Sequence, residues 1–147
     1  MKRFTFIPIL MSIFAALAIA KSYTSNAVFI QAKNLKWVAL ADFPGVAIAT
    51  VEGDRKNGPY HAFIKFEGGF ATPMYHHTAD HFATVVAGDL TITTDGEDHH
   101  LTPGSFFSFK KKQVHSTTCA PGAECIIFAD VRGKWDVITQ KKLVLNR

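Results

Sequence analysis

Histidines are concentrated in one short stretch of the sequence, residues 75–81, which reads YHHTADH. Three of the seven histidines, His76, His77 and His81, fall within six positions. Neutral imidazole nitrogens are common ligands for divalent transition metals, and three of them are enough to hold one ion. The same residues also suit a solvated loop or satisfied positions in a core, so their spacing must decide between these interpretations.

The spacing of His77 and His81 limits how their side chains can meet. In a strand the two have the same parity, yet four extended residues separate them by roughly 13 Å, too far to share an ion bound at about 2 Å. A helix would place them on one face, as in the H-E-x-x-H motif, but Thr78 stands where that motif has its catalytic Glu, and strand-forming residues follow. We therefore predict a strand interrupted by a bend at residues 78–80, which are small or tolerant of turns.

Short runs of β-branched and aromatic residues dominate the rest of the chain. They are HAFIKF, FATVVAG, LTITT, SFFSFK and CIIFADV. Pairs of turn-forming residues separate these runs: Gly68-Gly69, Gly88-Asp89, Asp95-Gly96, Pro103-Gly104 and Pro121-Gly122. Short strands at such spacing are typical of a sandwich or barrel, so the predicted class is all-β, with at most a turn or two of helix near Trp37 or the C-terminus.

The N-terminal 20 residues differ in character from the remainder of this 147-residue, single-domain-sized chain. Lys2 and Arg3 precede an uncharged apolar stretch that ends in Ala-Ile-Ala, a pattern that predicts a secretory signal cleaved after Ala20. An uncleaved membrane anchor is the alternative, because residues 4–20 approach the length of a bilayer span. Cleavage would leave a periplasmic or secreted protein without stable membrane association, composed of an arm or strand at residues 21–34 and one domain at residues 35–147.

The charge of the chain gives little support to nucleic-acid binding. The sequence has 16 basic and 12 acidic residues, and removal of the signal leaves 14 basic residues and a net charge of +2. The basic runs, Lys110 to Lys112 and Lys141-Lys142, are not interleaved with stacking aromatic residues. We expect them to be solvated charges of loops and strand edges.

The two cysteines, Cys119 and Cys125, lie symmetrically about Gly122 in TTCAPGAECIIF. Two strands leaving the turn at Pro121-Gly122 would place them opposite each other, within reach of a disulfide. An exported protein meets an oxidising compartment in which such a bond persists. Two small buried thiols remain the alternative, because facing cysteines in a hairpin often have unsuitable geometry.

Two segments together resemble the cupins, small barrels with a double-stranded β-helix or jelly-roll fold. GGFATPMYHHTADHFATVVAGDL is similar to the first cupin motif, with Gly69, Pro73, His77 and Gly88 in register. LTPGSFFSFKKKQVHSTT is similar to the second, with Pro103-Gly104-Ser105 as its turn and His115 as its metal-binding histidine. The resemblance extends over residues 35–140 and implies the compact, single-domain microbial form, similar to RmlC.

The chain departs from the cupin pattern at two of the four positions that hold metal in that family. Tyr75 replaces the first histidine, and His81 occupies the place of the glutamate. Carried over position by position, the resemblance implies a site of His77, His81 and His115 with Tyr75 beside it. A register slip of one residue would bring in His76 instead of Tyr75, and we rank His76 below His81.

The resemblance implies a mononuclear metal enzyme of the oxygenase type, because some cupin oxygenases hold their metal with three histidines. Three neutral ligands leave the ion its full charge, which favours a small anionic chelating substrate such as an enolate, a diketone or a carboxylate. Fe is the expected metal, and Mn, Ni, Cu and Zn are the alternatives. Tyr75 is assigned a catalytic role as hydrogen-bond donor, acid or base. The expected pocket walls are phenylalanines: Phe66, Phe82, Phe107 and Phe109.

Two other functions fit the same sequence. One is a non-catalytic cupin that binds a ligand or a metal, and the other is a degenerate barrel that has kept the fold and lost the ion. A homodimer is compatible with either, since the apolar run NAVFIQ would pair across an interface. The remaining histidines, His61, His99 and His100, are expected to be ordinary polar residues, and His99-His100 has no cupin counterpart.

Overall fold

A computed structural model of the protein describes residues 27–140. The signal predicted for residues 1–20 lies outside the described residues, as do residues 21–26 of the predicted arm and residues 141–147. The described part of the arm, residues 27–34, contains no strand and has one turn of 3-10 helix at Ala32–Asn34. Between residues 27 and 140 no helix has the length and apolarity needed to cross a membrane.

Strands account for nearly all of the regular structure in the described residues, which confirms the predicted all-β class. Their bounds are β1 Val38–Ala39, β2 Val46–Gly53, β3 Tyr60–Phe66, β4 Tyr75–His76, β5 His81–Ala87, β6 Leu90–Thr94, β7 Glu97–Leu101, β8 Phe106–Phe109, β9 Ser116–Cys119, β10 Cys125–Val131 and β11 Ile138–Thr139.

The strands form two opposed layers. The first is a six-stranded sheet in the order β1-β2-β3-β10-β5-β8. The second is built from the three-stranded sheet β7-β6-β9 and the two-stranded sheet β11-β4. Isolated bridges from Ala71 to Thr118 and from Tyr75 to His115 connect these two parts into one layer. The result is the jelly-roll type of barrel, in which both layers turn one face toward a shared core.

Alternation of side chains along each strand fills that core. In β3 the buried residues are Tyr60, Ala62, Ile64 and Phe66, and the residues between them face outward. Strand β10 repeats the pattern from Cys125 to Val131. Because successive side chains of a strand point to opposite faces, each of these strands supplies one apolar row to the interior.

The cysteines join the two layers rather than the two strands of a hairpin. A disulfide joins Cys119, at the end of β9, to Cys125, at the start of β10, and their Cα atoms are 5.7 Å apart. Strand β9 pairs with β6, whereas β10 pairs with β3 and β5, so the hairpin predicted for the two cysteines is wrong. The turn between them carries the chain from one layer to the other, and the disulfide closes that crossing.

Gly88 fits the chain closely against the disulfide. Its φ is +76°, and a Cβ atom at this position would lie 2.5 Å from the carbonyl oxygen of Glu124 and 2.9 Å from Sγ of Cys125. A residue other than glycine would therefore combine backbone strain with an overlap. The glycine that ends the first cupin-like motif is needed here for the close approach of the β5–β6 turn to the bridge.

Replacing both cysteines with alanine should lower the free energy of unfolding by about 2 kcal/mol, because the bond closes a short loop in the unfolded chain. Urea unfolding of the oxidised protein and of the Cys119→Ala, Cys125→Ala double variant measures this difference. A reducing agent should lower the urea midpoint of the parent protein and leave that of the double variant unchanged. Equal midpoints for the two oxidised proteins would contradict the prediction.

Candidate metal centre

Three histidines from separate points of the chain meet inside the barrel. His77 follows β4, His81 begins β5, and His115 directly precedes β9. All three are buried, with 4%, 5% and 1% of their surfaces exposed. One ring nitrogen of each lies within 4.8 Å of those of the others. The ring centroids are 4.8 Å apart for His77 and His81, and 5.5 and 5.7 Å from each of these to His115.

The bend at Thr78 and Ala79 turns the chain between these ligands. Backbone contacts hold it from both sides. The Lys112 amide donates to the carbonyl oxygen of His77 at 2.7 Å, and the Arg132 amide donates to the carbonyl oxygen of Asp80 at 2.9 Å. The Asp80 carboxylate accepts the Lys111 amide at 2.8 Å. The lysine run therefore has a structural task, through its backbone amides, beyond carrying solvated charge.

Asp136, in the segment between β10 and β11, fixes both the bend and the first histidine. Its carboxylate accepts hydrogen bonds from the Thr78 amide at 2.8 Å and from the Thr78 hydroxyl. Its backbone carbonyl accepts a hydrogen bond from Nδ1 of His77. That bond places the proton on Nδ1 and leaves Nε2 of His77 as the free lone pair.

The ring nitrogens that remain have few protein partners. Nδ1 of His115 donates to the carbonyl oxygen of Gln113 at 3.0 Å, which leaves its Nε2 free. Nε2 of His77 and Nδ1 of His81 are buried and have no hydrogen-bond partner. Between residues 27 and 140 two other buried polar atoms, Nδ1 of His76 and the Tyr60 hydroxyl, also have no hydrogen-bond partner, but neither belongs to a group of converging ligand atoms. The unpaired nitrogens of the three-histidine cluster are those that one ion could satisfy together.

Burial lowers the pKa of all three histidines. For His81 desolvation, followed by repulsion from His77 and His115, lowers the pKa to about 3. Desolvation is also the main cause for His115, whose pKa falls to about 4, and for His77, whose pKa is lowered despite its bond to Asp136. The cluster is therefore neutral at pH 7, which is the form of imidazole that binds metal. The residues present fit a divalent transition ion with three nitrogen ligands.

Tyr75 lies beside the cluster, with its ring centroid 4.4 Å from that of His115 and 5.1 Å from that of His77. Its hydroxyl shares a 2.9 Å hydrogen bond with the Thr117 hydroxyl. Burial raises the pKa of Tyr75 to about 12. At neutral pH the phenol keeps its proton, which removes the base role from those considered for it.

His76 lies apart from the cluster. It is half-buried on strand β4, where it pairs with Ile138 of β11, and its ring is not among the three that converge. His99 and His100 are exposed on β7, and His61 lies on the outer face of the large sheet between Glu52 and Asp130.

A cavity of about 50 Å³ adjoins the three histidines. Two of the predicted wall residues, Phe66 and Phe107, line it. Phe109 is placed behind the site, where its ring stacks on His115 with centroids 3.9 Å apart. Phe82 does not reach the cavity, and its predicted wall position is wrong. It follows the inward His81 and so faces outward, between Lys110 and Arg132.

Three residues near the site had no role in the sequence analysis: Asp136, Trp135 and Thr117. The Trp135 ring centroid lies 4.1 Å from that of His77, and the indole lines the cavity. The Thr117 hydroxyl forms a hydrogen bond with that of Tyr75. Residues two apart in a strand face the same side, so the inward position of His115 already predicts an inward Thr117. Asp136 and Trp135 carry no such signal, because their position follows from the pairing of β11 with β4.

The fold and the buried histidines define a barrel of the cupin class, and solved structures agree. KdgF from Halomonas sp. is 20% identical, with a TM-score of 0.61 over 74% of this chain and 94% of that one. The polyketide cyclase RemF from Streptomyces resistomycificus is 14% identical, with a TM-score of 0.67 over 81% and 89%. An RmlC-like cupin from Ralstonia eutropha is 20% identical, with a TM-score of 0.64 over 82% and 78%. The cupin fold expected from the two motifs is confirmed.

The sequence also matches a family profile. Residues 20–138 match the family described as "Domain of unknown function (DUF4437)", and the chain belongs to that family. A comparison with curated proteins gives no match.

The metal-free protein should lose stability as the pH falls from 7 to 5. The unfolded chain takes up protons on these three histidines near pH 6.5, whereas the folded chain resists protonation until lower pH. The free energy of unfolding therefore decreases through this window. Urea unfolding in the presence of a chelator at each pH measures it. The His81→Phe and His115→Phe variants should show a shallower dependence, and an unchanged slope in both would contradict the assignment.

Proposed function

We propose that this protein is an exported cupin that holds one divalent metal ion on His77, His81 and His115 and uses it to transform a small molecule. The observation that carries the proposal is the set of orphaned, buried ring nitrogens within this neutral cluster. When bound, such an ion acts as a Lewis acid toward an oxygen of the substrate. Fe is the metal we propose first, by the resemblance to three-histidine oxygenases, with Mn, Ni, Cu and Zn as alternatives.

Backbone carbonyls and one aromatic ring orient two of the three imidazoles without any ion present. The carbonyl oxygens of Asp136 and Gln113 hold the Nδ1 protons of His77 and His115, so that each ring presents Nε2 to the interior. Phe109 stacks on His115 and prevents its rotation. Such outer contacts set ring orientation and usually change metal affinity 10- to 100-fold when removed.

Tyr75 is proposed as the catalytic residue of the site. Its high pKa keeps the hydroxyl protonated, so it would donate a hydrogen bond or a proton to a substrate oxygen. Its contact with Thr117 holds the phenol in place while no substrate is bound. A position that carries a metal ligand in most cupins would here carry a proton donor.

Export is proposed with cleavage after Ala20. The bond between Cys119 and Cys125 supports it, because structural disulfides persist outside the cytoplasm and are rare within it. Protein recovered from an expressing cell should then begin at Lys21, and a chain that keeps Met1 would refute cleavage.

Metal binding should depend on the three histidines and not on others. The purified parent protein should carry about one divalent ion per chain by elemental analysis, and His115→Ala should weaken affinity at least 100-fold in a chelator competition. His99→Ala is the matched control, since it removes an exposed imidazole from β7 and should leave the metal content unchanged. Stoichiometric metal in His115→Ala would refute the site. Because burial lowers the three pKa values, metal occupancy should persist below pH 6.5, where a solvent-exposed imidazole becomes protonated.

A non-catalytic binding protein is the second candidate, and one observation favours it. Among the cavity-lining residues of the described chain, the only groups that titrate are the three histidines and Tyr75, which leaves no free general base. Oxygen consumption by the iron-loaded protein with small diketones and enols separates the candidates. Turnover that is lost in Tyr75→Phe, with metal content retained, supports the enzyme. Bound metal without turnover supports the binding protein.

A further inference from the structure

The polar groups that line the cavity form one connected cluster. The Thr117 amide donates to the Thr72 hydroxyl at 2.7 Å, and the Thr117 hydroxyl bonds that of Tyr75 at 2.9 Å. Tyr75 in turn lies against His77 and His115, which meet His81. Within residues 27–140 the one further polar group among the lining side chains is the indole N–H of Trp135, whose ring lies against His77. Every polar contact available to a ligand is therefore gathered at one place.

The other walls are hydrocarbon. The six-stranded sheet supplies Ile48, Ile64 and Ile127, and the segments that flank it supply Leu40, Phe43 and Phe70. No Asp, Glu, Lys or Arg lines the cavity in the described part of the chain. A charged group that entered this region would lose its water without gaining a partner, which costs several kcal/mol.

The size of the cavity sets a second limit. The cavity has a volume of about 50 Å³, several times the roughly 10–15 Å³ that a cavity needs to hold one water molecule. A ligand that fills it has a short or flat body. Apolar contact with the walls contributes to binding in proportion to the area buried, so a short branched hydrocarbon is favoured over a hydrated group of the same shape.

We infer that the cavity selects small ligands with one polar head, of no more than one negative charge, and a short uncharged apolar body. The head would lie at the histidine cluster, beside Trp135, and the body against the isoleucines. Sugars and dicarboxylic acids would be rejected. The location of the head rests on the proposed function, whereas the preference for an apolar body rests on the walls alone.

Trp135 provides a direct readout. The chain has two tryptophans, and Trp37 contacts Lys65 away from the cavity, so Trp37→Phe leaves Trp135 as the single reporter. Acetate, 4-methylpentanoate and succinate each have a carboxylate that can act as the head. At the other end, 4-methylpentanoate has an isopropyl group and succinate has a second carboxylate of nearly the same shape. Each ligand is titrated into zinc-loaded and into metal-free protein, and its dissociation constant is measured from the change in Trp135 fluorescence. The difference between the ligands gives the contribution of the apolar body to affinity.

We expect 4-methylpentanoate to bind at least tenfold more tightly than acetate or succinate. Succinate that binds as tightly as 4-methylpentanoate, or failure of all three to bind, would overturn the inference. Failure of the protein to take up zinc would instead overturn the proposed metal site, and the metal-free titrations would still decide the preference for an apolar body.

A charge placed on the wall should reverse the preference. Leu40→Arg introduces a cation at a half-buried lining residue and should raise succinate affinity relative to 4-methylpentanoate by at least tenfold. Val86→Arg is the matched control, because Val86 is 46% exposed on β5 and does not line the cavity. Equal effects of the two variants would contradict the assignment of the cavity walls. A cooperative thermal unfolding transition like that of the parent protein shows that each variant is folded.

Discussion

The bend between His77 and His81 is the constraint on which the rest of the site depends. Strand β4 belongs to one layer of the barrel and β5 to the other, so the two histidines approach each other only if the chain crosses between layers within three residues. Such a crossing leaves backbone amides and carbonyls without strand partners. The backbone amides of Lys112 and Arg132 satisfy the carbonyls of His77 and Asp80, and the Asp136 carboxylate satisfies the amide of Thr78.

The main effect of burial on the three histidines is desolvation, and repulsion between the rings is secondary. Three imidazoles are packed among aromatic rings, and their lowered pKa values reflect the resistance of this environment to a proton. An environment that disfavours protonation leaves the nitrogen lone pairs available. With His81 in place of the glutamate of the cupin motif, no carboxylate offsets the charge of a cation at this point, so an ion held here would keep its strength as an electrophile.

Much of the fold was readable from local chemistry, and the failures have identifiable causes. Pairs of turn-forming residues and runs of alternating apolar residues predict where strands begin and end, because both patterns depend only on residues close together in the sequence. His77, His81 and His115 were found through motif order. Phe82 was misplaced although its parity opposite to His81 already assigned it to the outer face. Asp136 and Trp135 were not predictable, since a two-residue strand pairing with β4 brings them to the site, and such short pairings leave no pattern.

The disulfide and the histidine cluster lie at opposite ends of the same strand. Cys125 begins β10, and Val131, which pairs with His81, ends it, roughly 20 Å away. Thiolates are strong ligands for soft transition metals, so a cysteine beside the three imidazoles of the folded barrel would compete with them for an ion. In this fold neither cysteine lines the cavity of the three histidines, so reduction of the bond would not by itself place a thiolate beside the ring nitrogens.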